Sequence, residues 1–240
     1  MASDAKFHVR YYDCNKPSVI LIKGAVINMF LTSNQKNHLL AFLAALILVC
    51  IPILSPAQEI QRITLAGQKE MLTNPGIDRV GAANADVTIV EYFDYNCPYC
   101  KKLVPTFQAL LAQDQKIAIV YKDWPIFGGV SVYAAKSALA AQWQGKYLVA
   151  HDALISGPRL TQESQVDAAL QRAGVNLDKL KKDQISRAKD IDALLSRNDS
   201  EARALSLKGT PGIVVGRQLL PGVADLNTLQ QIVDESRRDK

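Results

Sequence analysis

Residues 93–101 read FDYNCPYCK and place two cysteines, Cys97 and Cys100, two residues apart. The run before them, VTIVEYF at residues 87–93, is rich in β-branched and aromatic residues and predicts a β-strand. The run after them, KKLVPTFQALLAQ at residues 101–113, repeats apolar side chains at three- and four-residue steps and predicts an amphipathic helix. The cysteine pair therefore lies where a strand turns into a helix.

The start of a helix is a favourable place for a reactive thiol. Pro98 suits the first helical turn, because the N–H group that proline lacks has no helical partner there. Cys97 then stands at the helix N-terminus, where unpaired N–H groups and the positive end of the helix dipole stabilise an anion and lower a thiol pKa. A Cys-x-x-Cys at a strand-to-helix junction is the thioredoxin-type redox motif.

The N-terminal region has the order of a secretion signal. From Met29 the sequence runs MFLTSNQKNHLLAFLAALILVCIPILSPAQ, in which Lys36 precedes an apolar stretch at residues 39–54 and small residues follow at 55–57. This order predicts a signal peptide that starts at Met29, and it makes residues 1–57 a targeting segment. A retained membrane anchor is an alternative, although the apolar stretch is shorter than the roughly 20 residues that a span needs. A buried core helix is a further alternative.

Removing this segment would leave two of the four cysteines, Cys97 and Cys100, in an oxidising compartment. A structural zinc site needs four Cys or His ligands, and the exported part adds only His151, so no metal site is predicted. A structural disulfide between these cysteines would close a loop of only about four residues and add little stability. A redox-active pair is the favoured interpretation.

Composition excludes one other class of partner. The chain has 240 residues, a formal net charge of +5 and 48% hydrophobic residues, which is the balance of an ordinary globular protein. Residues 1–57 carry five basic and two acidic side chains, so the remaining body is nearly neutral. It has no dense stripe of Lys and Arg with interleaved aromatic residues, and nucleic-acid binding is not predicted.

Three stretches resemble the DsbA/DsbG branch of the bacterial thiol:disulfide interchange proteins. They are VTIVEYFDYNCPYCKKLVPTF (87–107), YKDWPIFGG (121–129) and KGTPGIVVGRQLLPGV (208–223), and the resemblance covers most of residues 83–235. The resemblance implies a thioredoxin fold with an inserted helical domain. The elements predicted from the residues have a matching order: a second strand at 117–121, helical pattern from 131 to about 205, a third strand at 213–215 and a last helix at 223–233.

The predicted fold class is therefore α/β, a thioredoxin fold with an inserted helical domain and a preceding signal or anchor segment. The predicted parts are a targeting segment at 1–57, an N-terminal arm at 58–82, the first part of the thioredoxin domain at 83–129, the inserted helical domain at 130–205 and the second part of the thioredoxin domain at 206–240. Within the arm, Ile60, Ile63 and Leu72 lie on helical spacing, which is typical of either an oligomerising arm or a mobile leader.

The resemblance also implies roles for residues of the site. Cys97 would be the exposed attacking sulfur, and Cys100 would be the resolving thiol one helical turn deeper. Pro211 matches the cis-proline of the family, and with Thr210 it would offer backbone groups to an extended client segment. From the residues alone, Thr210-Pro211 is equally a plain turn before a strand.

Two further residues match the family beneath the active site. Glu91 matches a buried acidic position that would take or give a proton as the thiols exchange, and Lys122 matches a basic partner nearby. The alternative for both is a half-exposed pair at strand ends. Asp94 and Lys101 are interpreted as ordinary surface charges, and His151 as a helix-surface or core histidine.

One position departs from the strongly oxidising members of the family. These members carry histidine as the second residue between the cysteines, where this chain has Tyr99. A histidine there can stabilise the Cys97 thiolate, whereas tyrosine offers only a hydroxyl, so a weaker oxidant is expected. Thr210 likewise resembles the residue before the cis-proline in the isomerase-type members.

The sequence thus predicts a periplasmic oxidoreductase that introduces disulfides into exported proteins. Its expected partners are reduced or misfolded exported polypeptides and a quinone-coupled membrane protein that reoxidises it. No organic cofactor is implied, because the electrons move through sulfur alone. An isomerase or reductase kept reduced by a membrane electron donor is one alternative, and a non-enzymatic binding or chaperone-like module with an inert bridge is another.

Overall fold

A computed structural model describes residues 61–63 and 79–239. The targeting segment at 1–57, including the signal peptide predicted from Met29, and most of the arm at 58–82 lie outside the described residues. Among the described helices, none has both the length and the apolar composition needed to cross a bilayer.

Within the described residues, six strands form one mixed sheet in the order β1-β6-β5-β3-β4-β2. The strands are β1 Gln61–Arg62, β2 Val80–Gly81, β3 Val87–Phe93, β4 Ile117–Asp123, β5 Gly212–Val215 and β6 Gln218–Pro221. The central strand β3 runs parallel to β4 and antiparallel to β5. Both β3 and β4 are buried almost throughout, which explains why β3 is a nearly continuous apolar run.

Seven α-helices accompany this sheet in residues 79–239. They are α1 Pro98–Gln113, α2 Gly129–Ala140, α3 Tyr147–Ile155, α4 Glu163–Arg172, α5 Leu177–Ser186, α6 Ala188–Ala204 and α7 Leu226–Arg238, with a 3₁₀ turn at Ala141–Gln144. Helix α1 connects β3 to β4, and α2 to α6 all lie between β4 and β5. A mixed sheet with this helical insertion is the thioredoxin-like, DsbA-type fold that the sequence predicted.

The two faces of the sheet belong to different buried clusters. Side chains of a strand alternate between faces. Ile89 and Phe93 of β3 face the cluster that contains both cysteines and the apolar side of α1. Val90 and Tyr92 face a second, smaller cluster with Trp124 and residues 202–207 at the end of α6. The face that a residue of β3 or β4 occupies therefore decides whether it can reach the cysteine pair.

Strands β1, β2 and β6 were not predicted from the sequence. Strand β6 follows β5 through a tight turn at Gly216, whose φ of 57° is left-handed. Gln61–Arg62 pairs with β6, and the Ile63 N–H donates to the Arg217 carbonyl at 2.8 Å. Gln61–Arg62 is therefore extended, because the edge of β6 offers backbone partners to this segment. Ile60 and Leu72, on which the interpretation of the arm rests, lie outside the described residues.

Candidate active site

The two cysteines lie at the first turn of α1. Cys97 is the N-cap residue, and its Sγ accepts a hydrogen bond from the Cys100 backbone N–H at 3.4 Å, while Pro98 is the first helical residue. The turn before the helix is closed by the Cys97 N–H, which donates to the Asp94 carbonyl at 3.0 Å. This turn holds the Cys97 sulfur at the positive end of the helix dipole.

Both cysteines are free, and their surroundings move their pKa values in opposite directions. The pKa of Cys97 is lowered from 9.0 to about 6, and the largest cause is the hydrogen bond from the Cys100 thiol. Thr210 and the backbone N–H groups of Cys100 and Tyr99 lower this pKa further, whereas burial of the sulfur opposes the shift. Burial is the largest cause that raises the pKa of Cys100 far above its ordinary value, followed by the hydrogen bond to Cys97 and the charge of Glu91. At neutral pH the nucleophilic thiolate is therefore Cys97, with Cys100 protonated below it.

The Cys97 sulfur is covered, which corrects the expectation of an exposed attacking sulfur. Cys97 is only 1% exposed, and its Sγ lies 3.2 Å from the Thr210 carbonyl oxygen, to which it donates a hydrogen bond only when protonated. The cause is the sheet topology: β5 is antiparallel to β3, with Gly212 opposite Tyr92, so the loop before β5 meets the turn after β3 at one edge.

The covering loop contains the predicted client-binding pair. The Thr210–Pro211 peptide bond is cis. The Pro211 carbonyl accepts from the Gly222 N–H at 2.8 Å, so that oxygen is already engaged. Thr210 is half-buried, and its carbonyl oxygen contacts the Cys97 Sγ. The Thr210 backbone is thus the part of the loop that faces the sulfur.

Glu91 lies on the cysteine side of β3. It is 3% exposed, and its Oε1 has no hydrogen-bond partner within residues 79–239. Burial, followed by the charge of Cys97, raises the pKa of Glu91 from 4.5 to about 8. The carboxyl borders a cavity of about 110 Å³ together with Tyr121, His151 and Asp152. Glu91 is therefore protonated at neutral pH and is not the half-exposed residue of the alternative interpretation.

Lys122 is buried on the other face of the sheet. The register places Glu91 opposite Tyr121, so Lys122, one residue further along β4, points away from the Glu91 side. Its ammonium lies 3.0 Å from Glu201 Oε2, which also accepts from the Tyr92 hydroxyl at 2.9 Å. The expected basic partner of Glu91 is therefore the partner of Glu201 instead.

Asp94 is not the surface charge that the sequence suggested. It is fully buried, and Oδ1 accepts from the Asn96 N–H at 2.7 Å and from the Ser131 hydroxyl at 2.8 Å, while Oδ2 accepts from the Phe127 N–H at 3.1 Å. These bonds fix the turn before Cys97 to the start of α2. The spacing of Asp94 and Asn96 is that of an Asx turn, which was the available signal in the sequence.

Lys101 also has a structural partner. Its Nζ donates to the carbonyl oxygens of Leu154, Ile155 and Gly157 at 3.0, 3.1 and 2.9 Å. A cation at a helix C-terminus is favourable, because the last carbonyls of the helix lack partners. Lys101 thus attaches the cysteine-bearing helix α1 to the end of α3 one residue after Cys100, and nothing in the sequence pattern indicated this.

Behind the site, His151 belongs to a buried aromatic cluster. Its ring stacks on Tyr121 with centroids 3.9 Å apart, and its Nδ1 lies 3.4 Å from the Tyr95 hydroxyl. Burial lowers the pKa of His151 to about 3. Burial also raises the pKa of the neighbouring Asp123 to about 7, against the lowering effect of the hydrogen bond that the Tyr147 hydroxyl donates to it at 2.7 Å. His151 is therefore a neutral core residue. No set of three or more His, Cys, Asp and Glu side chains in the described part of the chain is arranged to hold a metal ion.

Comparison with known proteins identifies the family. A family model described as DSBA-like thioredoxin domain matches residues 88–234, more than half of the chain. A thioredoxin-like oxidoreductase from Silicibacter pomeroyi is 35% identical with a TM-score of 0.68, covering 71% of this chain and 98% of its own. The thiol-disulfide exchange protein alpha-DsbA2 from Wolbachia pipientis is 28% identical with a TM-score of 0.66, covering 71% and 92%.

Curated relatives agree with this assignment. A probable disulfide bond formation protein D from Bacillus cereus is 22% identical over 177 residues, covering 69% of this chain and 81% of its own. Two Na(+)/H(+) antiporters NhaA of Salinispora species are 29% identical over 170 residues, but the chain spans only 25% of their length. The chain belongs to the DSBA-like thioredoxin domain family, whose model covers residues 88–234.

Proposed function

We propose that this chain is a periplasmic dithiol oxidase that transfers the Cys97–Cys100 disulfide to reduced exported polypeptides. A client thiolate attacks the Cys97 sulfur, the Cys97–Cys100 bond breaks, and Cys100 leaves as a thiolate that takes up a proton. A second client thiolate then attacks the client sulfur of the mixed disulfide and releases Cys97 as a thiolate. Two electrons pass from the client to the cysteine pair, and the client gains a disulfide.

The low pKa of Cys97 is the observation that carries this direction. A thiolate that is stable at neutral pH is a good leaving group in the last step, and it stabilises the reduced pair relative to the disulfide. The opposite shift at Cys100 means that the departing Cys100 thiolate captures a proton at once. Glu91, protonated at neutral pH and electrostatically coupled to Cys100, is the proposed donor of that proton.

The remaining site residues have proposed roles around this exchange. The Thr210 backbone receives the client segment beside Cys97, with Pro211 holding the loop in place. Pro98 starts α1, and Tyr99, which is exposed on its first turn, faces the client. Lys122 stabilises the fold from the far side of the sheet through Glu201 rather than by acting on Glu91.

The cellular setting follows from the N-terminal sequence. A signal peptide from Met29, or an anchor formed by the same apolar stretch, would deliver the domain to the periplasm. There a quinone-coupled membrane protein would accept the two electrons and restore the Cys97–Cys100 disulfide. The similarity to a probable disulfide bond formation protein D from Bacillus cereus supports this direction.

An isomerase or reductase is the second candidate, and two residues favour it. Tyr99 stands where the strong oxidases have histidine, and Thr210 resembles the corresponding residue of the isomerase-type members. In that role a membrane donor would keep the pair reduced, and Cys97 would attack client disulfides. An inert binding module is the third candidate, and a reduced Cys97 that resists alkylation at every pH would favour it.

The reduction potential of the cysteine pair decides between the first two. The full chain is equilibrated in glutathione buffers, and the redox state is read on the Cys97–Cys100 peptide by mass spectrometry. Known members of the superfamily range from about −270 mV for a reductant to about −120 mV for a strong oxidant. We expect a value in the oxidising half of this range. A value near the reducing end would refute the oxidase proposal, and a bridge that never equilibrates would support the inert module.

A further inference from the structure

A pocket beside the cysteine pair has the position and chemistry to select clients. Its volume is about 390 Å³, and it is lined by Asn96 and Pro98 from the turn around Cys97, by residues 127–130 at the start of α2 and by residues 159–161 before α4. It flanks Cys97 on the side of the helical insertion. A second pocket of about 480 Å³ contains Thr210 and Pro211 and flanks Cys97 on the other side.

The pocket beside Pro98 offers an apolar surface. Phe127 lines it and is 57% exposed, and the neighbouring Tyr99 is 56% exposed. Covering these aromatic side chains with an apolar group of a partner would be favourable, because it removes apolar surface from water. A volume of this size accommodates one large apolar side chain rather than a folded surface.

The charge of this pocket is positive. Arg159 is exposed, and it is the one charged residue among the described residues that line the pocket. No acidic side chain in the described part of the chain forms an ion pair with it. The pocket on the Thr210 side is similar, because Lys208 is its one charged lining residue within the described ranges. Both approaches to Cys97 are therefore complementary to acidic rather than basic side chains.

The walls of the pocket are fixed to the cysteine turn. Asp94 Oδ2 accepts a hydrogen bond from the Phe127 N–H at 3.1 Å. Asn96 holds Leu160 through two hydrogen bonds, one to its carbonyl at 3.0 Å and one from its N–H at 2.8 Å. A preformed site loses little conformational entropy when a segment binds, so contacts here are available to distinguish one client from another.

We propose that this pocket binds the residues next to the client cysteine, with an apolar side chain on Phe127 and an acidic side chain paired with Arg159. This inference rests on the proposed function and names its substrate class: reduced exported polypeptides whose cysteine is flanked by apolar and acidic residues. The covalent step is the exchange already described, in which the client supplies both thiols and both electrons.

The test compares dithiol peptides of equal length in which Phe-Glu, Phe-Lys or Ala-Glu precedes the attacking cysteine. The full chain, oxidised at Cys97–Cys100, is mixed with each peptide at low salt, and the second-order rate of disulfide transfer is measured. Arg159→Glu is matched by Arg172→Glu, which reverses an exposed arginine on α4. Phe127→Ala is matched by Ile185→Ala, which removes an even more exposed apolar side chain on α5.

We expect the Phe-Glu peptide to react about tenfold faster than the Phe-Lys peptide, and added salt to reduce this preference. Arg159→Glu should invert the preference, whereas Arg172→Glu should retain it. Phe127→Ala should remove the advantage of Phe-Glu over Ala-Glu, whereas Ile185→Ala should not. A peptide preference that is unchanged in Arg159→Glu and Phe127→Ala would overturn the inference.

Dithiothreitol separates this inference from the function beneath it. Dithiothreitol is too small to use the pocket, so it should reduce the disulfide of the two control variants, Arg172→Glu and Ile185→Ala, at the rate of the unaltered chain. If dithiothreitol reduces the Cys97–Cys100 disulfide while the three peptides react with it at equal rates, the pocket assignment is overturned and the oxidase proposal stands. If neither dithiothreitol nor any peptide exchanges with the Cys97–Cys100 disulfide, the proposed function itself fails.

Discussion

Replacing Glu91 by glutamine should change how the stability of the reduced chain depends on pH. The pKa of Glu91 is raised from 4.5 to about 8 because the carboxyl is buried and lies near Cys97. Between these two values the folded chain keeps a proton that the unfolded chain has released. Stability therefore falls as pH rises through this window, and the loss is complete above the folded pKa.

The magnitude follows from the shift. Each pH unit inside the window costs about 1.4 kcal/mol, so Glu91 should remove roughly 2–3 kcal/mol of unfolding free energy between pH 5 and pH 7. Glutamine has nearly the same shape and does not titrate. The unfolding free energy of Glu91→Gln, measured relative to the unaltered chain, should therefore rise by that amount over the same interval.

Urea unfolding of the reduced full chain at pH 5 and pH 7, followed by tryptophan fluorescence, measures this difference. His151 and Asp123 also titrate abnormally, but they are present in both chains and cancel in the comparison. Cys97 titrates in the same interval and is coupled to Glu91, so Cys97→Ser is introduced in both chains. Glu163→Gln, at an exposed glutamate in the first turn of α4, is the control for the substitution itself. A Glu91→Gln difference that does not change with pH would refute the reasoning, since Glu91 would then be ionised already at pH 5.

The rate at which iodoacetamide alkylates the reduced chain, followed on the Cys97 peptide by mass spectrometry, should rise with pH with a midpoint near pH 6. Alkylation should be slower than for an exposed thiolate, because the Thr210 loop covers the sulfur. Full reactivity would mean that the cover is open in solution. Asp94→Ala should lower the urea unfolding free energy by about 3 kcal/mol through three lost hydrogen bonds, and a negligible loss would show that they contribute little. Lys122→Met should destabilise by about 3 kcal/mol by weakening the charge compensation of Glu201, without altering the pH dependence assigned to Glu91. A changed pH dependence in Lys122→Met would contradict their placement on opposite faces of the sheet.

Local pattern was sufficient for the central elements. The β-branched run at residues 87–93 and the three- and four-residue apolar repeat after Cys100 are short-range signals, and β3 and α1 formed where they indicated. The edge strands carry no comparable signal. β1 and β2 have two residues each, and they are extended because a neighbouring strand supplies their hydrogen-bond partners.

Charged residues were the weak point of sequence reasoning. From residue type alone, Asp94 and Lys101 were interpreted as surface charges. Asp94 is instead buried and accepts three hydrogen bonds. Lys101 donates to carbonyl oxygens of α3, more than fifty residues away in the chain. The partner of Lys122 is Glu201, seventy-nine residues away. Hydrogen bonds and ion pairs across such separations depend on how helices pack, which spacing within one segment does not encode.

The sequence by itself therefore determined the Cys-x-x-Cys motif, its position at the start of a helix and the order of β3, α1, β4, the helical insertion, β5 and α7, because each depends on residues close together in the chain. Only the tertiary structure decided that Cys97 is covered by the Thr210 loop, that Glu91 and Lys122 lie on opposite faces of the sheet, and that the two cysteines differ so strongly in pKa. These properties depend on burial and on the pairing of β5 with β3, which brings residues more than a hundred positions apart against the same sulfur.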